Sequence, residues 1–424
     1  MTEEFLHYVW KFRLFDQKAL LTSNNEKVII LKSGDHNFDS GPDFFNAKVL
    51  IGDTTWAGNV EVHINSSDWD RHHHQSDKAY DNIILHVVNT ADKKLFRESG
   101  EEIPTIEIGD KIDRKVYENY LKFKSNSDWI PCSNQVATVS PLILQNTLDK
   151  LLLERLERKS AAILNSLSLN NNNWEETFYQ LLARNFGFKI NAEPFELLAK
   201  SLPLNILSRQ KTSLLQMEAL LFGQAGMLNE HFEDPYPACL QNEYLYLKHK
   251  HKLQNIQGHL WKFLRMRPVN FPTIRIAQFA SFLFSSNNLF SSTLEVSTSD
   301  ELRNMFLVQV SPYWNTHYLF DKASDVREKH LGENSADNII INTVVPFLFT
   351  YGKQKGIESF VERALFFMET LKGENNIIIK KWKEHKLPVS SAYSTQALLQ
   401  LKNEYCSAKK CLTCSIGNYL LKNS

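Results

Sequence analysis

No stretch of this chain stays apolar for the ~20 residues that crossing a bilayer requires. The most apolar later run, Ile339 to Phe349, is broken by Asn342 and Pro346. The start, Met1-Thr2-Glu3-Glu4, is acidic and lacks the basic segment and apolar run of a secretory signal. Together these absences predict a cytoplasmic protein with no membrane partner. An excess of charge of either sign is also missing: 48 Lys+Arg balance 48 Asp+Glu. That balance excludes a uniformly basic nucleic-acid coat protein and leaves room for a local basic cleft. Cysteine is sparse, with five in 424 residues. An odd number, three of them crowded near the C-terminus, argues for thiols or a metal site over a disulfide framework. No internal repeat of fixed period is present.

What the chain does have is the composition of a folded globular protein, 43% hydrophobic and 23% charged, over a length that implies two domains. Phe5, Leu6, Val9, Trp10, Phe12 and Leu14 recur at helical spacings and predict a helix over 3–15, with Glu3 and Glu4 at its positive end. Val28 to Leu31 predicts a buried strand. Phe44 to Ile51, a Gly52-Asp53 turn and Thr55 to Asn65 predict a hairpin. Ser67-Asp68 predicts the cap of a helix through Asp70 to Tyr80, followed by strands at Asn82 to Val88 and Pro104 to Ile108. Beyond about Asp110 the strand signals largely stop. Amphipathic patterns over 142–167, 174–186, 194–201, 211–223, 240–264, 273–284, 299–310, 337–351, 357–372 and 392–404 predict an all-helical remainder.

The stretch that carries chemistry lies in the hairpin. If Glu61 and His63 are on a strand, the side-chain period of two puts both on one face while Val60, Val62 and Ile64 face a core. Two carboxylates, Asp43 and Glu61, suit a hard divalent cation such as magnesium or manganese that acidifies bound water. His63 is placed to orient or deprotonate that water, or to ligate a softer metal. Register decides whether they meet. A two-residue turn at Gly52-Asp53 pairs Asp43 with Val62, on the wrong face. A three-residue turn, or a bulge at Gly58, sets Asp43 opposite His63.

Pro42-Asp43, seventeen residues, then Glu61-Val62-His63, in the order helix, strand, strand, strand, helix, strand, resembles the PD-(D/E)XK nuclease superfamily. That resemblance implies magnesium binding by Asp43 and Glu61, with His63 standing where the superfamily has a lysine that assists the nucleophile. Glu4 on the first helix matches a further acid found in some members. The wider text, Gly41-Pro42-Asp43-Phe44, Gly58 to His63, Ser67-Asp68-Trp69 and Tyr80 to Val88, also resembles the bacterial domain-of-unknown-function family 2851 over nearly the whole chain.

Three further groups have a chemical reading. His72 and His74, with Asp77 nearby and His86 on the next strand, could complete a metal shell, and a transition-metal hydrolase acting on no nucleic acid would use the same residues. Cys406-x4-Cys411-x2-Cys414 suits zinc or an iron-sulfur cluster, with Cys132 or Cys239 supplying a fourth ligand from afar. Such a trio plus one distant cysteine is similar to the iron-sulfur-stapled branch of the same superfamily, in a different order of spacings. Lys248, Lys250, Lys252, Lys262, Arg265, Arg267 and Arg275 form an aromatic-interleaved basic stretch suited to a phosphate backbone.

The fold expected is therefore α+β. A restriction-endonuclease-like α/β core over 1–110 (helix, mixed sheet, helix) precedes a large all-α domain over 111–424 that carries the C-terminal cysteine cluster. The expected function is a metal-dependent nuclease, with DNA as its partner. The alternative from another class is a nuclease-like scaffold or nucleic-acid-binding module without turnover.

Overall fold

A computed structural model of the chain describes residues 1–286 and 288–423. The fold is mixed α/β, with a mixed sheet near the N-terminus and many helices. Helix α1 (Glu3–Phe12) starts where the Thr2 hydroxyl accepts from the Phe5 N–H at 3.4 Å. It stops short of the expected Phe15 because Arg13 adopts a left-handed conformation, φ 53°. Its apolar stripe, Phe5, Leu6, Val9 and Trp10, is buried, and the helix packs on the sheet.

The sheet is built from β1 (Val28–Lys32), β2 (Asp35–His36), β3 (Phe44–Ile51), β4 (Thr54–Asn65), β5 (Ile83–Thr90) and β6 (Thr105–Glu107). Its order is β1-β3-β4-β5-β6, with the short β2 paired to β3. β1, β3 and β4 run antiparallel, whereas β4, β5 and β6 are parallel. From Ile83 to Val88, β5 is apolar except for His86 because this part is buried on both faces, as interior parallel strands are. β4 is the strand where the two halves join, and it approaches β5 closely at Gly58. A Cβ there would lie 2.5 Å from Ile84 Cγ2 and 2.7 Å from the Asn82 carbonyl. Gly58→Ala is therefore expected to destabilise the protein by about 1–3 kcal/mol through overpacking. An unchanged denaturant midpoint would show that the strands separate freely at this point.

The helix expected over Asp70 to Tyr80 is much shorter. Helix α2 (Asp68–Arg71) gives way to two single 3₁₀ turns, His74–Ser76 and Lys78–Tyr80, because His73 is left-handed at φ 62°.

The chain divides into two compact units, Met1–Thr147 with the C-terminal segment from Lys402, and Leu148–Leu401. The first unit extends past the expected boundary near 110. Helix α3 (Arg114–Ser125) joins it through Tyr120, which stacks on Phe5 at 4.7 Å between ring centroids. The returning C-terminal helix, Ser415–Asn423, joins through Asn418, which accepts from the Tyr8 hydroxyl at 3.3 Å, and Lys422, 3.8 Å above the Phe12 ring.

The second unit is helical except for a small hairpin, His317–Leu319 with Lys322–Ala323. Trp174–Phe186, Pro272–Ser285 and Glu358–Thr370 fall within two residues of the spans their periodicity predicts. The patterns at 240–264 and 299–310 overreach: the first helix ends at His251, before a left-handed Lys252, and the second at Met305. Among the described residues no helix is long and apolar enough to cross a membrane.

Candidate metal centre

Local backbone conformation at Asn46 assembles the centre. The β3–β4 turn is tight, pairing Ile51 with Thr54, and the register runs regularly to Ala47 opposite Gly58. Asn46 is left-handed, φ 57°, and the pairing then slips to Phe44 opposite Val60. The irregularity thus lies on β3, not at Gly58 or in the turn. It turns Asp43 to the Glu61 face by bringing it beside Glu61 itself, where the wrong-face register would have set it against Val62. The Asp43 N–H donates to Glu61 Oε2 at 3.1 Å, and Asp43 Oδ2 accepts from the Val62 N–H at 3.0 Å.

The other end of the Glu61 carboxylate meets histidines. Glu61 Oε1 is 3.4 Å from His74 Nε2 and 3.6 Å from His63 Nε2. His63 Nε2 is also 3.2 Å from His72 Nδ1, while its Nδ1 is 2.9 Å from Nε2 of His86. His86 is the β5 neighbour of Glu61 in the sheet and is wholly buried. The break at His73 lets both His72 and His74 turn inward, since residues two apart on a continuous helix point about 200° away from each other. Tyr80 stacks beneath His74 at 3.8 Å, and Trp69 meets it edge-on at 5.3 Å. Asp77 is exposed and serves the turn, its Oδ1 accepting from the Ala79 N–H at 2.9 Å.

The ligand atoms of His63, His72 and His74 lie within 4.8 Å of one another, and so do those of Glu3, His7 and Asp43. His7 Nε2 is 3.2 Å from Asp43 Oδ2 and 3.8 Å from Glu3 Oε1. Glu3 and His7 are the residues sequence reasoning passed over. Their i,i+4 spacing on α1 placed them on one helix face and was the available signal. Glu4, the acid singled out instead, is exposed and falls within electrostatic reach of Cys411.

Burial governs the protonation of these groups. It pushes Glu61 up to about 9, with the neighbouring Asp43 charge adding to the effect. Burial, then the positive potential of His86, His74 and His72, drives His63 down to about 2. His86 falls to about 3 by burial and by His74. On His7 burial opposes the charge, yet the Asp43 carboxylate outweighs it and the pKa rises. His63 and His86 are therefore neutral imidazoles, and burial lowers His74 in the same direction, toward the protonation state in which histidine ligates a cation. His7 Nε2, His74 Nε2 and His86 Nδ1 are buried without a hydrogen-bond partner. Leaving such groups unpaired is costly, and a cation at each of the two ligand groups would satisfy the first two. The donor sets fit two kinds of ion, a nitrogen-rich set for zinc or manganese and a carboxylate-rich set for manganese or magnesium.

The remaining candidates fall elsewhere. Cys132, Cys406, Cys411 and Cys414 belong to the first unit and form no disulfide, while Cys239 is exposed in the second. Lys248, Lys250, Lys252, Lys262, Arg265, Arg267 and Arg275 all belong to the second unit. Lys250, Lys252, Lys262, Arg265 and Arg267 are exposed, and Lys248 Nζ donates to Asn255 Oδ1 at 2.9 Å. Arg275 is buried with its guanidinium 4.5 Å from the Phe188 ring; its terminal nitrogens donate to Gln278, Asn270 and Ser335, a position that turns them into the protein.

No curated protein and no solved structure matches the chain at a significant level. A family model described as "Protein of unknown function (DUF2851)" matches residues 3–377, which include every ligand of the candidate centre, and the chain belongs to that family.

Proposed function

We propose that this protein is a metal-dependent phosphodiester hydrolase acting on DNA, with Glu61 shared between two cation positions. The observation that carries the reading is the placement of the Glu61 carboxylate. One oxygen lies beside Asp43 and the other beside His63 and His74, between the two ligand groups. Cations held there would acidify a bound water and neutralise charge on a phosphoryl oxygen, the chemistry of two-metal phosphatases and nucleases. Glu3, His7 and Asp43 hold the first position, and His63, His72 and His74 the second. Asp43 at the entry to β3 and Glu61 on the adjacent β4, behind a helix that packs on the sheet, support the nuclease-like reading further, as do the exposed basic residues of the second unit.

His63 departs from the lysine of the resembling superfamily in a way its surroundings explain. Its Nδ1 faces His86 and its Nε2 faces Glu61 and His72, so it serves as a ligand and does not carry protons to solvent. His86 fixes which nitrogen of His63 bears hydrogen, a positioning role. His72, the exposed member of the group, stands at the rim where substrate would enter.

A second reading, a transition-metal hydrolase whose substrate is not a nucleic acid, is favoured by the number of imidazoles. Purified protein incubated with manganese, zinc or magnesium and with single-stranded DNA, duplex DNA, RNA or a small phosphodiester separates the readings. DNA cleavage is expected with manganese and lost in Glu61→Gln. Turnover of the small ester alone would favour the second reading, and metal binding without any turnover a binding module. Two positions also predict separable losses. In equilibrium dialysis His7→Ala should forfeit one cation equivalent and His74→Ala the other. Loss of all bound cation in both variants would mean one position.

A further inference from the structure

The first unit contains a second cluster of metal-ligating side chains, formed where the end of the chain returns. Cys132 follows the Trp129-Ile130-Pro131 turn, Cys406 ends a π-helical turn, Leu401–Cys406, and Cys411 and Cys414 flank the turn before the helix Ser415–Asn423. Lys409 Nζ donates to the carbonyls of Lys124 at 2.7 Å and Asn126 at 2.9 Å, the latter 283 positions away in sequence. Lys402 Nζ donates to the Trp129 carbonyl at 2.8 Å. Gly417 lies so close beneath Cys411 that a Cβ would come 2.3 Å from its carbonyl. These contacts bring four reduced cysteines together, and each is near enough to the other three to act on them electrostatically.

We propose that Cys132, Cys406, Cys411 and Cys414 ligate a [4Fe–4S] cluster. The spacing of the sulfurs separates this from zinc. Among the described residues, three ligand atoms lie within 4.8 Å of one another only in the two histidine and carboxylate groups, so no three of these sulfurs are that close. Tetrahedral zinc with Zn–S bonds of ~2.3 Å needs all four sulfurs within ~4 Å of each other. A cubane takes each thiolate on a separate iron and spreads them wider. Lys402 and Lys409 lie beside the thiols and offset the negative charge of a thiolate-ligated cluster. The cluster fastens the C-terminal segment to the unit. Because the helix Ser415–Asn423 contacts Tyr8 and Phe12 of α1, it also steadies the helix that presents Glu3 and His7.

The test is metal analysis of the full chain purified without air. About four iron and about four acid-labile sulfide per chain are expected, with a brown colour that dithionite bleaches. One zinc per chain without iron or sulfide overturns the proposal, as do two iron with two sulfide, or no metal at all. Cys411→Ser should lose the iron and the colour, whereas Cys239→Ser, at the exposed thiol of the other unit, should keep both. If Cys411→Ser fails to fold, the iron and sulfide content of the parent decides alone.

Discussion

Glu61→Gln should abolish cation binding at the shared carboxylate while leaving the cation-free protein at least as stable as the parent. Burial, reinforced by Asp43, raises the Glu61 carboxyl to about 9, so in the cation-free protein it is protonated at neutral pH. Glutamine keeps that shape and neutrality, and its carbonyl oxygen still accepts from the Asp43 N–H. What it cannot do is become an anion between two cations. Losing a shared ligand should lower cation affinity by about 100-fold or more, given that outer-shell changes alone cost 10–100-fold. A cation present at 100 times its dissociation constant stabilises the native state by about 2.7 kcal/mol, and the variant should forgo that increment. Thermal unfolding with and without manganese checks both halves. A variant that keeps the manganese-induced rise, or unfolds much earlier than the parent without metal, would contradict the assignment.

Cation affinity in the parent should rise with pH by about tenfold per unit from pH 7 to 9 and then level off, because each binding event must expel the Glu61 proton. The sign follows from the raised pKa: the native cation-free state holds a proton that the cation-bound state does not. The same group makes the cation-free protein lose stability as pH climbs from the ordinary carboxylate range through about 9, since the unfolded chain binds fewer protons there. His63 and His86 act in the opposite sense. Their depressed values, about 2 and about 3, contribute stability that is present above the ordinary histidine pKa and lost as pH falls toward those values. The cation-free protein should therefore be most stable in mildly acidic solution, and the cation-loaded protein at higher pH. Isothermal titration in buffers of different ionisation enthalpy would count the expelled proton. An affinity independent of pH between 7 and 9 would remove Glu61 from the ligand set.

Much of the centre was legible in the sequence because Glu61-Val62-His63 sits in an alternating strand, where the period of two decides the face before any long-range contact is known. Its completion was not. The slip at Asn46 depends on one residue occupying a left-handed conformation, which no hydrophobic pattern encodes. The histidines at 72 and 74 were visible as a cluster, but a helical reading would have sent them to different sides. Only the reversal at His73 aims both inward. Glu3 and His7 carried a local signal, the i,i+4 spacing, that two adjacent glutamates obscured. Several helical spans of the second unit, among them Trp174–Phe186 and Pro272–Ser285, followed from periodicity, whereas the extent of the first unit did not, because the return of the segment from Lys402 is a contact between distant parts of the chain.

That return has a consequence for synthesis. Every ligand of the histidine and carboxylate centre, and His86 behind it, lies within the first 90 residues or so, all of which leave the ribosome early. Cys132, by contrast, must wait for Cys406, Cys411 and Cys414, which at 5–20 residues per second takes on the order of tens of seconds. The residues proposed to hold cations are thus all synthesised long before the four thiols can meet.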